Sequence, residues 1–317
     1  KKKMVKKFIG GIVASLFTLA YILSPLYLIL TLILTPFYGL KSYLLLIPIL
    51  ISAITPIIKL PWLVRHPIFK CILNYFQFES IFETTDDSLL KYLDELKKDG
   101  RGGIILAAQP HGVLSFGGIC AGSAADSRFD NLVTAAAGAV LATPIVKHVV
   151  GVFGLIDASA SSLKKHLSKG GVEGSCVLYI GGIAELFRCS ETQEQLILKK
   201  RKGFIKLALQ TGADVVPLYF FGNTSVLSVL THPFLESISR KYQVSITLFW
   251  GLWGLPIPRP NKILYVRGPP LGLPKVENPT EDDIEKWHAK YVSEVQRIFD
   301  KYKVLVPEYA NKSLVIE

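Results

Sequence analysis

The chain has 317 residues, half of them apolar, a net charge of +11 and four cysteines. That length suits one large domain or two small ones, and cysteines without CxxC spacing exclude a zinc set or a small disulfide scaffold. The basic excess fits an anionic leaflet or a phosphate-rich cosubstrate; with no nucleic-acid-binding signature beside it, nucleic acid is set aside.

From Phe8 to Ile58 the one formal charge is Lys41. Phe8–Thr35 exceeds the ~20 residues needed to cross a ~30 Å hydrocarbon core. Ser42–Ile58 is shorter and carries Pro48 and Pro56, so spanning, re-entering and lying bent all stay open. "KKKMVKK" resembles the basic start of a secretory signal, but the apolar stretch is too long and no small-residue cleavage site follows cleanly. Five lysines precede the first segment, and Lys59, Arg65 and Lys70 follow the second. Basic flanks favour the cytosolic side, so residues 1–61 are expected to form a membrane hairpin with both ends in the cytosol; a monotopic wedge is the alternative. Lys1 at the first position, with Met4 the sole methionine, suggests a natural start upstream. On the cytosolic side the sequons at Asn223 and Asn311 stay unused, and Cys71, Cys120, Cys176 and Cys189 are free thiols.

Residues 62–317 read as one α/β domain. "TTDDSLLKYLDELKKDG" predicts a helix capped by Thr85, acidic at its start, basic at its end, and apolar along Leu89, Leu93 and Leu96. Strands are expected at Gly103–Ala108, Leu132–Ala136, Cys176–Ile180, Val215–Phe220, Val244–Phe249 and Ile263–Val266, with helices at "SSLKKHLSKGG" and "RKGFIKLALQTG", each closed by glycine. The alternation predicts a largely buried sheet. In "VSITLFWGLWGLPIPRP" the glycines and Pro256 argue against a spanning helix; Trp250 and Trp253 belong either to a loop at the lipid interface or to a buried strand and turn. The last helix carries a Thr280/Asp283 capping box and a core stripe of Ile284, Trp287, Tyr291, Val295, Ile298 and Tyr302. His288 beside that stripe reads as structural.

Several chemistries lack their motif. Val113 stands two before Ser115, so "GVLSFGG" is no hydrolase elbow. HExxH, the phosphate-binding GxxxxGK[ST] and a strand-borne GxGxxG are absent, and the six histidines show no metal-ligand spacing. No metal or resident cofactor is expected. His111 is the best-placed histidine. It follows an apolar strand in a Pro/Gly turn, where a side chain projects over the sheet edge that binds ligands in α/β folds. Neutral imidazole there can take a hydroxyl proton; a strand-end histidine bonded to a carbonyl is the alternative. In "CVLYIGGIAELF" a strand runs into Gly181 and Gly182, and Glu185 either caps a helix or shares the edge with His111. Free N–H groups near Gly112 or the Gly181–Gly182 turn suit an oxyanion. Lys199, Lys200, Arg201 and Lys202 cluster at a helix start, where phosphate gains from the helix dipole; alone, such a cluster is a solvated face.

Together "PHG", "GGIAE", "RKGF", "LALQTGADVVPLYFFG" and "LPKVENPTEDDIEKWHAKY", spread over Gln109 to Lys303, resemble the type-2 diacylglycerol acyltransferase family, which includes monoacylglycerol acyltransferases and wax-ester synthases. "RKGFIKLALQTGADVVPLYFFG" is the specific match; "PHG" alone is weak. The resemblance implies a glycerolipid acyltransferase-like sheet, an endoplasmic-reticulum membrane protein facing the cytosol or lipid droplets, acyl-CoA as cosubstrate and diacylglycerol or a similar lipid as acceptor. A homo-oligomer stays open. His111 corresponds to the catalytic histidine and Glu185 to the conserved glutamate, while Arg201, Lys202, Gly203 and Phe204 fall on a block tied to acyl-CoA. Gln109 replaces the first histidine of HPHG and, with Pro110, is expected to support the base. Phe116 stands where related glycerolipid acyltransferases carry the aspartate of H-x-x-x-x-D, which leaves Glu185 the leading orienting group. A hairpin lipid-binding or lipid-droplet protein without activity is the competing class.

Overall fold

The computed structural model describes residues 1–38, 43–187, 192–242 and 247–317. Eleven strands occur among them: β1 Glu79–Phe82, β2 Ile104–Gln109, β3 Val133–Ala136, β4 Leu155–Asp157, β5 Cys176–Tyr179, β6 Gln193–Leu196, β7 Asp214–Phe221, β8 Ser228–Val229, β9 Phe249–Trp250, β10 Leu264–Arg267 and β11 Ser313–Ile316. Seven form the main sheet in the order β1-β10-β7-β2-β5-β3-β4. Strands β7, β2, β5, β3 and β4 run parallel, and β10 turns back antiparallel on β7 with β1 parallel beside it. The expected, mostly parallel α/β sheet is the one found. Every residue of β2 and of β7 is buried, which is why both read as near-continuous apolar runs, with Gln109 and Asp214 at their ends, rather than alternating ones.

Helices cover both faces. Ala160–Leu167, Gly203–Thr211 and Glu281–Tyr302 bury Leu163, Leu209, Tyr291 and Phe299 against one face, and Asp86–Lys98 buries Leu89, Leu93 and Leu96 against the other. The local signals hold. The Thr85 hydroxyl accepts from the Ser88 N–H at 3.2 Å, the Thr280/Asp283 capping box is closed, and Gly212 ends its helix at φ +69°. His288 is buried with its Nε2 2.9 Å from the Leu198 carbonyl, a structural histidine. Cys71, Cys120 and Cys176 are buried free thiols; Cys189 lies outside the described residues.

The N-terminal apolar segment is one helix, Lys2–Tyr38, about 55 Å long at 1.5 Å per residue. It is long and apolar enough to cross a membrane. One stripe of it is pressed onto the domain: Gly10 and Gly11 let the backbone approach Cys71 and Tyr75, and Ala14 and Thr18 are fully buried. Its other faces leave Phe8, Leu16, Leu23, Ile29 and Ile33 more than half exposed. The second helix, Tyr43–Ile54, has 12 residues, about 18 Å, too short to cross as a helix. Tyr27 donates to the Leu45 carbonyl at 2.7 Å, tying the two together. Part of the strand expected at Val244–Phe249 lies outside the described residues; its described end supplies β9, paired with β8. Trp253 stands 82% exposed on the following turn and shares a surface groove with Met4, Phe8 and Leu16 of the long helix.

Candidate active site

Strand order places the site. β2 lies between β5 and β7, all three parallel, so the loops leaving their carboxyl ends meet at one edge. After β2 comes Pro110–His111–Gly112, after β5 Gly181–Gly182 and Glu185, and after β7 Gly222–Asn223.

In the first loop the Nδ1 of His111 is 2.7 Å from the Gly112 carbonyl. A carbonyl only accepts, so Nδ1 carries the proton and Nε2 keeps its lone pair. Among the described residues nothing bonds Nε2. The Tyr179 ring meets the imidazole edge-on at 4.7 Å between centroids, and its hydroxyl donates to Ser115 Oγ at 2.5 Å. Burial pushes the His111 pKa down, against a smaller upward pull from the bond to Gly112, so the ring is neutral at neutral pH. Both effects suit a base.

Glu185 shares this edge. Its Oε2 accepts from the main-chain N–H of His111 at 3.4 Å and its Oε1 from the Ile197 N–H at 3.3 Å. The carboxyl thus braces the histidine turn to the segment that leads into the basic block, while the ring itself is oriented by Gly112. Burial pushes the Glu185 pKa up to about 8, outweighing the two N–H bonds. Gly181 is the space that carboxyl occupies: a Cβ there would collide with it. Gly182 turns the chain at φ +60°. Gln109 is fully buried, within hydrogen-bonding reach of the Tyr291 side chain and next to Tyr219 in register on β7. The Gln109–Pro110 peptide is cis.

The four residues Arg201, Lys202, Gly203 and Phe204 separate. Arg201 is exposed, lines the cavity described below, and is held in no ion pair among the described residues. Lys202 pairs with Glu285 of the last helix. Gly203 is the first residue of the helix Gly203–Thr211. Phe204 is buried, edge-on to Tyr291 at 4.9 Å between centroids, and serves the core.

Asn223 was missed as a site residue because the sequence presents it as the head of a sequon. It is 1% exposed. Its Nδ2 donates to the carbonyls of Pro110 at 3.0 Å and His111 at 2.8 Å, and its Oδ1 accepts from the Gly117 N–H at 2.9 Å. An amide so committed is no glycan acceptor in this fold. The usable signal was position: a polar side chain two residues past a fully buried strand adjacent to β2.

A cavity of about 1650 Å³ opens on this edge, larger than the roughly 300–1,000 Å³ of ordinary ligand sites. His111, Gly112, Gly181, Gly182 and Arg201 line one side; Phe17, Tyr21, Leu26 and Ile29 of the long apolar helix line another. Its wall carries two internally neutralised pairs, Arg65–Asp130 at 2.6 Å and Arg267–Asp86 at 2.7 Å. Lys59, beside Arg65, has its pKa lowered by burial.

A mostly parallel sheet carries a neutral histidine at its carboxyl edge, inside a large cavity shared with a helix long and apolar enough to cross a membrane. Comparison with known proteins makes the class specific. A family model described as "Diacylglycerol acyltransferase" matches residues 58–317. The human "Diacylglycerol O-acyltransferase 2-like protein 6" is 32% identical over 77% of this chain and 75% of its own length. "Diacylglycerol O-acyltransferase 2" is 33% identical in Xenopus tropicalis, over 67% of this chain and 64% of that protein, and 33% identical in Dictyostelium discoideum, over 76% and 75%. Among solved structures, the 1-acyl-sn-glycerophosphate acyltransferase PlsC of Thermotoga maritima aligns over 92% of this chain and 95% of that one, with 10% identity and a TM-score of 0.43. The chain belongs to the diacylglycerol acyltransferase family. It is an acyltransferase of lipid metabolism.

Proposed function

We propose that the chain esterifies diacylglycerol to triacylglycerol with acyl-CoA as donor and His111 as general base. The observation that carries this reading is the unbonded, neutral Nε2 of a histidine lining a cavity that Arg201 and the apolar helix also line. Nε2 takes the proton of the acceptor hydroxyl as its oxygen attacks the thioester carbonyl. The tetrahedral intermediate collapses, the C–S bond breaks, and the imidazolium returns the proton to the departing coenzyme A thiolate. No acyl-enzyme is needed, because the thioester is already activated. N–H groups of Gly112 and of the Gly181–Gly182 turn, on the same cavity wall, are the oxyanion donors. Arg201 meets the phosphates of the soluble donor; the helix wall admits the lipid acceptor. In this reading residues 1–61 anchor residues 62–317 to the endoplasmic-reticulum membrane, with the site facing the cytosol.

The decisive experiment is a lipid profile after expression in cells lacking neutral-lipid synthesis, with competing acceptors supplied. Triacylglycerol is expected, and none from His111→Ala at equal protein level. Wax ester, acylated monoacylglycerol or acylated lysophospholipid as the main product would move the acceptor. No acylated product from any acceptor would leave a lipid-binding protein.

A further inference from the structure

We infer that Asn223 is the positioning residue of the catalytic turn, a role that rests on His111 being the base. The imidazole is aimed by a bond to the carbonyl of Gly112, the residue next to it, so its direction is only as fixed as the Pro110–His111–Gly112 backbone. Gly112 sits at φ +65°, a conformation open to glycine and costly to other residues; the turn gains nothing from a sheet ladder. Two groups hold it. Glu185 takes the one N–H of His111, and Asn223 takes the carbonyls on both sides of that N–H while anchoring to Gly117, the second residue of the helix Phe116–Ala124. The turn, the next helix and the end of β7 are thereby joined through one planar amide. Swapping the amide's O and N would set oxygen against two carbonyls, so its orientation follows from its partners. Gly112 and Asn223 are also matched in size, since a Cβ on Gly112 would lie 2.9 Å from Asn223 Nδ2. Asn223 touches no reacting atom. It acts through His111.

The chemistry required is two donors and one acceptor in one plane, which no other side chain of this size supplies. Asn223→Asp keeps the shape and turns both donors into acceptors. Purified full-length protein in detergent–lipid micelles is assayed for kcat, for KM of acyl-CoA and acceptor, for the pH profile of kcat, and for folded fraction by thermal melting. For Asn223→Asp, kcat per folded molecule is expected to fall on the order of 10- to 100-fold, as for a misaimed catalytic group. Both KM values stay within about twofold, because the cavity walls are intact. The acid limb of the profile moves up towards the ordinary histidine value as the loosened turn admits water. Asn223→Ser, which leaves room for water at the same carbonyls, is the milder variant and is expected to fall between wild type and Asn223→Asp. Unchanged kcat per folded molecule with an unmoved acid limb overturns the assignment, and so does failure of both variants to fold, since a purely structural role would then suffice. His111→Ala in the same assay separates the two readings. If it retains turnover, the base itself is wrong; if it is inactive while both Asn223 variants keep full kcat, only the positioning role is lost.

Discussion

The two walls of the cavity are built on opposite principles. Along and behind the sheet-edge wall, polar side chains are held by directed bonds, with the His111 Nε2 left open: His111 Nδ1 to Gly112, Glu185 to two main-chain N–H groups, Asn223 to three backbone partners. On the helix wall, Phe17, Tyr21, Leu26 and Ile29 offer no fixed geometry beyond an apolar surface. Directional bonds are worth their desolvation where a proton must move between defined atoms. Non-directional contact suffices where a flexible chain must slide past. In the proposed mechanism, chemistry and admission of lipid are carried by different parts of the sequence, and the contrast can be tested wall by wall.

The largest effect is expected from His111→Ala, which removes the proposed base and should lower acyl transfer by at least ~10²–10⁴-fold with expression unchanged. For the wild type the sign of the pH dependence follows from burial. In the proposed mechanism neutral imidazole is the active form, and burial pushes its pKa down, so turnover should fall only below the ordinary histidine value of about 6.5 and stay flat above it. An acid limb at or above that value would show the ring to be hydrated.

Glu185→Gln comes next. One of the two N–H groups then faces an amide donor, and the loss of a buried bond, ~1–3 kcal/mol, predicts roughly a 5- to 150-fold drop in turnover. The stability profile sharpens the point. Folding raises the Glu185 pKa from about 4.5 to about 8, so between those values the folded state binds more protons than the unfolded one. This contribution is fully present below the unfolded pKa and is lost as pH rises through the folded one. Melting temperatures measured from pH 5 to 9 should therefore fall with pH more steeply in the wild type than in Glu185→Gln; parallel curves would mean that the carboxyl is solvated.

The helix wall should respond differently. Phe17→Ala widens the cavity and is expected to change the acceptor-chain preference and raise KM for long-chain acceptors, with kcat nearly intact; an equal loss in kcat would erase the distinction between the walls. The smallest effect belongs to Arg201→Ala. An exposed ionic contact is worth about 0.2–1 kcal/mol, so KM for acyl-CoA should rise roughly 1.4- to fivefold, and less at high salt.

Much of the fold was legible because it rests on local signals. The buried strands β2, β5 and β7 are short apolar runs ending in turn residues, and the helices Asp86–Lys98 and Glu281–Tyr302 carry caps and 3.6-residue stripes. The strands that escaped, β1, β4, β6, β8 and β11, have two to four residues with mixed burial. Pairing by partners distant in sequence defines them, and no local pattern does. The site divided in the same way. His111, Glu185 and the glycines follow recognisable strand ends, whereas Asn223 depends on β7 lying beside β2, and the burial of Phe204 depends on the last helix covering its face. Lys202 read as part of a phosphate-binding cluster or a solvated face, because its partner Glu285 is 83 residues away.

The N-terminal helix, long and apolar enough to cross a membrane, also lines the cavity, and this links two goals usually pursued separately. A version shortened to dissolve in water would keep every polar group around the imidazole yet lose the partition that Phe17, Tyr21, Leu26 and Ile29 provide. It would fold around a chamber with one apolar side missing and open to solvent. Detergent or nanodisc preparations of the whole chain are the material in which inhibitors of this cavity should be sought.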